Sequence, residues 1–268
     1  MKKFAGSFFI ILLIFACTSN PYTGKKTMAL VNNDSLLASS FSQYSQFLQE
    51  STVITGTADA AMVERVGNRI RQAAETWAAA MGQSTYLEKY QWEYHLVKSD
   101  EVNAWCLPGG KIVVYTGILP VTRDEESLAV VLGHEVAHAL LNHGQQRASA
   151  GVLQQAGALG VGILTSNQSK GAQDLAQAAF GTGSTLLGTL PFSRSHESEA
   201  DHIGLILMTI AGYKPEVSVN FWERMAALGG QSSPQFLSTH PSNKTRISDL
   251  QRWIPDAWEK AGEIGVIN

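Results

Sequence analysis

The sequence predicts an α+β fold that is mostly helical and carries a small three-stranded sheet. Several long segments place apolar residues at helical spacing, and one short region between them alternates as strands do. Hydrophobic residues make up 44% of the 268 positions, enough for a substantial core. Two cysteines exclude a disulfide-rich scaffold. The net charge of −3 lacks the basic excess of nucleic-acid-binding proteins, so no nucleic-acid partner is expected.

The first segment has the composition of an export signal. Lys2 and Lys3 precede an apolar run that is too short to span a membrane as a helix. The run ends in Ile14-Phe15-Ala16-Cys17, which resembles a bacterial lipobox. We therefore predict that residues 1–16 are a lipoprotein signal peptide and that Cys17 is lipidated. The alternative is an ordinary cleaved signal with an incidental cysteine.

This interpretation predicts an exported bacterial lipoprotein whose contact with the membrane is its N-terminal lipid. Thr18 is not the aspartate that retains lipoproteins at an inner membrane, so a host with two membranes would carry the chain on the outer one, facing the periplasm. Residues 17–57 are expected to form the lipidated N-terminus, a polar tether and a first helix. Residues 58–268 are expected to form the main domain.

The elements follow from these patterns in chain order. Strands are predicted at residues 91–97, 103–107 and 111–116, with a tight turn joining the last two. Helices are predicted at residues 34–50, 59–80, 122–147, 193–210, 216–228 and 244–253. Thr122 and Glu125 have the spacing of a capping box at the start of the third of these helices. The abundance of small residues in the segment 150–190 predicts a close-packed helix or a mobile hairpin. The sequence alone does not decide whether this segment forms a lid over the site.

The strongest chemical signal is His134-Glu135-Val136-Ala137-His138. Two histidines four residues apart share one face of a helix, where they can bind one Zn²⁺ ion. Glu135 lies beside them as the general base for the zinc-activated water that attacks a peptide carbonyl. The alternative is a buried helix whose two histidines are satisfied by hydrogen bonds.

A third zinc ligand must come from another part of the chain. The pattern with a nearby third histidine would need Gly at 141 and His at 144, and the residues there are Leu141 and Gly144. Glu197 and Asp201 share one face of a second predicted helix. Glu197 is predicted to bind zinc, and Asp201 to orient a ligand histidine, preferably His134. The alternative is an acidic, solvated helix face.

Other polar residues near these motifs lie off the two metal-binding faces. His143, His196 and His202 are interpreted as structural, and Glu199 as solvated. Cys106 needs no chemical role, because an apolar residue would serve equally well there, and a lone thiol in such a position is expected to be buried and inert.

The motifs together resemble the zinc endopeptidases of the HtpX and CAAX-prenyl-protease type, peptidase family M48. Their order along residues 100–250 is that of the family, and the similarity is greatest to exported, BepA-like lipoprotein members, whose mature start also resembles Asn20-Pro21-Tyr22-Thr23-Gly24. Four blocks carry the resemblance: Asn103-Ala104-Trp105-Cys106-Leu107-Pro108-Gly109-Gly110, His134–His138, Ser193-Arg194 through Glu197 to Asp201, and Thr239-His240-Pro241 with Arg246-Ile247. The resemblance implies a gluzincin fold, with the small sheet beside the active-site helix and a metallopeptidase domain at residues 58–268.

The resemblance also implies roles for residues outside the zinc motif. Asn103, Ala104 and Trp105 would line the cleft and pair with an extended substrate by β-augmentation, unless a loop covers this strand edge. His240 would either donate a hydrogen bond to the oxyanion or close the site as a fourth zinc ligand. Arg246 would support the same oxyanion or form an ion pair with a nearby acid.

The function implied is that of a zinc endopeptidase with one Zn²⁺ per chain, which cleaves extended or misfolded envelope proteins in quality control. Its partners would be polypeptide substrates and an envelope assembly machinery. Two alternatives stay open. One is a chaperone-like binding module with a mostly closed zinc site. The other is a structural zinc protein, which Glu135 argues against because a structural site needs no general base.

Overall fold

The computed structural model describes residues 17–165, 192–228, 234–241 and 244–265. The predicted signal peptide, residues 1–16, lies outside the described residues, as do residues 166–190 of the predicted helix or hairpin. Within the described ranges the fold is α+β and mostly helical, which confirms the predicted class. No helix in these ranges is both long and apolar enough to span a membrane.

Six strands, nine α-helices and two short 3-10 helices, Ser84–Leu87 and Thr116–Ile118, lie in the described part of the chain. The strands are β1 (Cys17–Ser19), β2 (Lys26–Met28), β3 (Val53–Ile54), β4 (Glu93–Val97), β5 (Ala104–Leu107) and β6 (Lys111–Tyr115). The helices are α1 (Asn33–Glu50), α2 (Ala58–Ala80), α3 (Leu119–Thr122), α4 (Glu125–Leu140), α5 (His143–Thr165), α6 (Arg194–Ile210), α7 (Val217–Ala227), α8 (Gln235–Thr239) and α9 (Arg246–Glu263).

The main sheet has four strands in the order β3-β4-β6-β5, so the prediction of three strands is wrong by one. The strands β5 and β6 form the predicted antiparallel hairpin, with Ala104 opposite Val114, whereas β4 runs parallel to β6. The additional strand β3 pairs antiparallel with β4. Its two residues are too few to show the alternation by which a strand is recognised in a sequence. The strand β5 forms one edge of the sheet.

The core is built around α4. This helix packs against α6, α2 and α7 and against β5. Fourteen of its residues are buried, from Ser127 to Leu140. A helix that is buried on all sides has no polar face, which explains the continuous apolar sequence on both sides of the zinc motif.

The boundaries of α4 differ from the prediction of one helix over residues 122–147. Asp124, not Thr122, caps its start, since Asp124 Oδ1 accepts a hydrogen bond from the Ser127 amide at 2.7 Å. Thr122 belongs instead to the short helix α3. At the other end α4 stops at Leu140, and Asn142 adopts a positive φ of 55°. Asparagine tolerates this left-handed conformation, so the chain turns there before α5 begins.

The helices α4 and α6 touch at two glycines. A Cβ atom on Gly133 would lie 2.7 Å from the carbonyl oxygen of Gly204, and one on Gly204 would lie 2.8 Å from the His134 amide nitrogen. Neither position therefore has room for a side chain. This close approach brings the two halves of the predicted metal site, one on each helix, within reach of each other.

The segment before α1 packs onto the helical body, although a polar tether was predicted there. Asn20 is buried, and its side-chain amide donates a hydrogen bond to the Leu140 carbonyl at 2.7 Å. Tyr22 is also buried, and its hydroxyl donates to the Ala74 carbonyl at 3.0 Å. The carbonyls of a helix's last turn lack partners within the helix, so Asn20 caps the end of α4.

Candidate metal centre

Three helices bring four ligand side chains together. His134 and His138 project from α4, Glu197 from the first turn of α6, and His240 directly follows α8. All four are buried, and one ligand atom from each lies within 4.8 Å of the others. The two histidines of the sequence motif, the predicted third ligand and His240 thus meet at one point.

The spacing of the ligand atoms fits a zinc ion. His134 Nε2 and His138 Nε2 are 3.1 Å apart. Glu197 Oε2 lies 3.5 Å from the first of these nitrogens, and Glu197 Oε1 lies 3.4 Å from the second. Zinc bonds of about 2.0–2.1 Å in a tetrahedron give ligand-to-ligand distances of about 3.3–3.4 Å. Two imidazoles and a carboxylate are also a donor set that zinc prefers.

His240 faces the ligands and the predicted general base together. Its Nδ1 lies 3.1 Å from Glu197 Oε1 and 3.3 Å from His134 Nε2. Its Nε2 lies 3.4 Å from Glu135 Oε1. Both roles left open by the sequence require His240 near the metal. The contact through Nδ1 gives it the position of a fourth ligand.

Asp201 and Arg246 hold the ligands from behind. Asp201 Oδ1 lies 2.9 Å from His134 Nδ1, the pairing preferred from the sequence. Arg246 Nε donates to Asp201 Oδ2 at 2.6 Å, and Arg246 Nη2 donates to Glu197 Oε2 at 2.8 Å. Of the two roles considered for Arg246, the structure therefore shows the ion pair with acids of the site.

Glu135 lies between the metal ligands and an open cavity of about 350 Å³. The Cys106 amide donates to its Oε2 at 3.3 Å. Its Oε1 is buried and has no hydrogen-bond partner in the described part of the chain. The predicted cleft residues Asn103, Ala104 and Trp105 line the same cavity. One carboxylate oxygen of Glu135 is thus held by the Cys106 amide, and the other lies 3.4 Å from His240 Nε2 without a hydrogen bond.

The free edge of β5 faces this cavity. The Tyr115 amide donates to the Asn103 carbonyl, so the backbone of Asn103 points towards β6. Backbone groups alternate along an antiparallel pair, which directs those of Ala104 and Cys106 away from β6. The hydrogen bond from the Cys106 amide to Glu135 is consistent with this direction. The edge groups therefore belong to Ala104 and Cys106, and Trp105 contributes its side chain.

Burial and hydrogen bonding shift the pKa values of the two glutamates in opposite directions. Burial raises the pKa of Glu135 above its usual value. Burial also acts to raise the pKa of Glu197, but hydrogen bonds from three histidines outweigh it and lower the pKa strongly. Glu197 is therefore held as the charged carboxylate that a metal ligand must be, and Glu135 binds a proton more readily.

Sequence reasoning missed His143 and Glu199. His143 was placed off the metal-binding face, but it is fully buried, and its Nδ1 lies 2.9 Å from His138 Nδ1. Glu199 was interpreted as solvated, but its Oε2 lies 3.3 Å from His143 Nε2. The helix break at Asn142 redirects His143, and an asparagine near a helix end is the signal that could have revealed it.

His202 agrees with its interpretation as a structural residue, whereas the lipidation of Cys17 stays a prediction. His202 pairs with Asp256 and stacks on Trp253, away from the metal centre. Cys17 is exposed in β1. Cys106 is only partly buried and lines the cavity, so the prediction of a buried thiol is wrong. Desolvation still raises the pKa of this thiol well above its usual value.

The chain is similar in sequence to several named metalloendopeptidases. It is 40% identical over 63% of its length to the mitochondrial metalloendopeptidase OMA1 of Schizosaccharomyces pombe, of which it covers 49%. It is 31% identical over 96% of its length to the human protein of that name, of which it covers 50%. It is 31% identical over 61% of its length to the beta-barrel assembly-enhancing protease of Escherichia coli, of which it covers 34%. The chain thus spans about half or less of these relatives.

These relatives contradict the predicted localisation. The prediction of an exported bacterial lipoprotein is wrong by this comparison, because relatives at 30–40% identity are named as mitochondrial proteins of eukaryotes. A short apolar segment that ends in a cysteine is weak evidence for a lipoprotein signal, since many unrelated segments have the same composition. The predicted closeness to BepA-like members has only weak support, because the matches to OMA1 reach higher identity.

A family model identifies the group to which these proteins belong. The model described as peptidase family M48 matches residues 64–254, more than half of the chain. The matched range includes every residue of the candidate metal centre. It confirms the family recognised from the motifs and, with it, the predicted enzyme class, a metallopeptidase. The chain therefore belongs to peptidase family M48.

Proposed function

We propose that this protein is a zinc-dependent endopeptidase that cleaves extended segments of polypeptides. The observation that carries the proposal is the position of buried Glu135, which lies beside the converging metal ligands, lines the cavity and has an Oε1 that forms no hydrogen bond within the described residues. A structural zinc site has no use for such a carboxylate. Residues 58–268, which contain all these side chains, would form the catalytic domain.

His134, His138 and Glu197 would hold the ion. A bound zinc lowers the pKa of water and polarises the carbonyl under attack. Glu135 accepts a proton from the attacking water through Oε1 as the water oxygen bonds to the carbonyl carbon. It then passes this proton to the amine nitrogen when the carbon–nitrogen bond breaks. Asp201 accepts a hydrogen bond from His134 Nδ1 and so keeps His134 Nε2 directed at the ion.

A substrate would bind as an additional strand on β5. The outward backbone N–H and carbonyl of Ala104 and the carbonyl of Cys106 would pair with it, since the Cys106 N–H is bonded to Glu135. Alternate substrate side chains would enter the cavity. Phe47 and Trp105 pack edge to face on one wall, with ring centres 5.0 Å apart. Backbone pairing requires that the substrate be extended and depends little on its amino-acid sequence. The substrates would therefore be segments that lack stable structure. Misfolded proteins expose such segments.

A role in protein quality control is consistent with this mode of binding. One relative is named as a protease that enhances β-barrel assembly. Proteins that are still assembling expose unpaired strands, which are suitable partners for the edge of β5. By this analogy we propose that the chain acts on incompletely assembled or misfolded proteins.

Metal removal tests the proposal most directly. We expect about one zinc per chain, and we expect casein cleavage that a chelator abolishes and added zinc restores. Metal content measured by atomic emission, together with release of labelled casein fragments, checks both points. A protein without zinc would contradict the metal centre, and cleavage that persists after complete zinc removal would contradict the mechanism.

A second candidate is a binding module whose zinc site is closed by His240. The specific observation in its favour is the ligand-like position of His240 Nδ1, 3.1 Å from Glu197. Four protein ligands around zinc leave no position for water. Such a protein would hold extended chains at β5 and would cleave them only when His240 moves away.

Replacing His240 with alanine distinguishes these possibilities. We expect zinc content to stay the same, because three ligands remain, and casein cleavage to rise about tenfold as the closed state is lost. A decrease of about 10²–10³-fold would instead assign His240 to the oxyanion. His202→Ala is the matched control, since His202 lies away from the site and its replacement should leave cleavage unchanged.

A further inference from the structure

The turn after α4 gives His143 an unexpected direction. In a continuous helix a residue five positions after His138 lies about 140° around the axis from it and cannot reach it. The positive φ of Asn142 breaks the helix and starts α5 at His143. The His143 ring returns towards the metal centre, where it is fully buried with Nδ1 2.9 Å from His138 Nδ1.

The hydrogen-bond partners fix the direction of each proton in this contact. The carboxylate of Glu199 only accepts hydrogen bonds, so His143 donates to it through Nε2, at 3.3 Å. A neutral imidazole that donates at Nε2 accepts at Nδ1. His138 Nδ1 must therefore donate to His143 Nδ1. This tautomer leaves the lone pair of His138 on Nε2, the nitrogen that faces His134 and Glu197.

Glu199 is itself held in place from the N-terminal segment. Its other carboxylate oxygen forms an ion pair with Lys25. Lys25 follows Asn20 and Tyr22, which are anchored in the helical body. The ring of His196 stacks on His143, with ring centres 4.3 Å apart. The imidazole of His143 is thus fixed both at its edge and on its face.

We propose that His143 and Glu199 are positioning residues that fix the tautomer and orientation of the zinc ligand His138. They would do for His138 what Asp201 does for His134, with an imidazole inserted between ligand and carboxylate. Partners of this kind behind a ligand histidine raise metal affinity. The inference rests on the proposed metal centre and assigns a role to two residues that its ligand set does not include.

The test is zinc affinity in the full chain, measured by competition with a chromogenic chelator. His143→Leu removes the acceptor for His138 Nδ1, and we expect the zinc Kd to rise about 10–100-fold. His143→Asn keeps an acceptor, because its side-chain oxygen takes the place of Nδ1, and we expect its Kd to stay within about threefold of the original. This rescue separates positioning from a merely structural role, since both variants lose the same ring.

Two further variants complete the experiment. His202→Leu removes a partly buried, ion-paired imidazole outside the site and should leave the zinc Kd unchanged. Glu199→Leu should raise the Kd about three- to tenfold, and it decides the question if His143→Leu does not fold. An unchanged Kd in the His143→Leu protein, or in Glu199→Leu where the former does not fold, would overturn the positioning role alone. Absence of zinc binding by the original protein would overturn the metal centre itself.

Discussion

The Glu135→Gln protein is expected to cleave peptides about 10²–10⁴-fold more slowly and to bind as much zinc as the original protein. Glutamine has the same shape as glutamate, and its amide oxygen can still accept the hydrogen bond from the Cys106 amide. It cannot accept a proton from water at neutral pH. The measurement is kcat/KM on a fluorogenic peptide together with metal content.

The control for this variant is Glu64→Gln. Glu64 is exposed on α2, and its replacement changes charge by the same amount without touching the site. We expect no change in kcat/KM for this protein. If Glu135→Gln cleaved as fast as the control, the general base would have to be another group and the proposed mechanism would fail.

The sequence predicted best those parts of the fold in which apolar residues repeat at helical spacing over a long segment, or in which several functional residues lie close together in one motif. The spacing of apolar residues around His134 and His138 predicted a helix, and α4 is that helix. Glu197 and Asp201 follow the same rule, since their spacing placed both on one face of α6. Each inference needed only the geometry of one helix.

Features that depend on contacts between distant segments could not be derived in that way. The two residues of β3 form a strand only because β4 offers an edge. The sequence indicates that Asn20 is a turn residue. It is buried because its side chain donates a hydrogen bond to a carbonyl at the end of α4. Tertiary context decided both. The break that redirects His143 is different, because Asn142 indicates it in the sequence, although the two leucines before it favour a continuing helix.

Arg246 shows how much of the site depends on one buried cation. Its guanidinium is almost fully buried, lies 3.8 Å from the Trp222 ring centre and contacts both Asp201 and Glu197. Two carboxylates buried side by side repel each other unless a positive charge compensates them. Before a metal binds, Arg246 contacts both carboxylates as a permanent positive charge. His134 also contacts both, and although burial acts to lower the pKa of its imidazole, hydrogen bonds to Asp201 and Glu197 raise that pKa to about 10. Zinc would add a second compensating charge.

Arg246→Leu is therefore expected to destabilise the metal-free protein by about 3–5 kcal/mol, the usual cost of removing one partner of a buried pair. Saturating zinc should reduce this loss, because the ion compensates the same carboxylates. Urea unfolding with and without zinc measures both values. Arg252→Leu, on the same helix but exposed, should cost less than about 1 kcal/mol. An equally small loss for metal-free Arg246→Leu would show that Asp201 and Glu197 do not depend on Arg246, and that another group, or protonation, neutralises them.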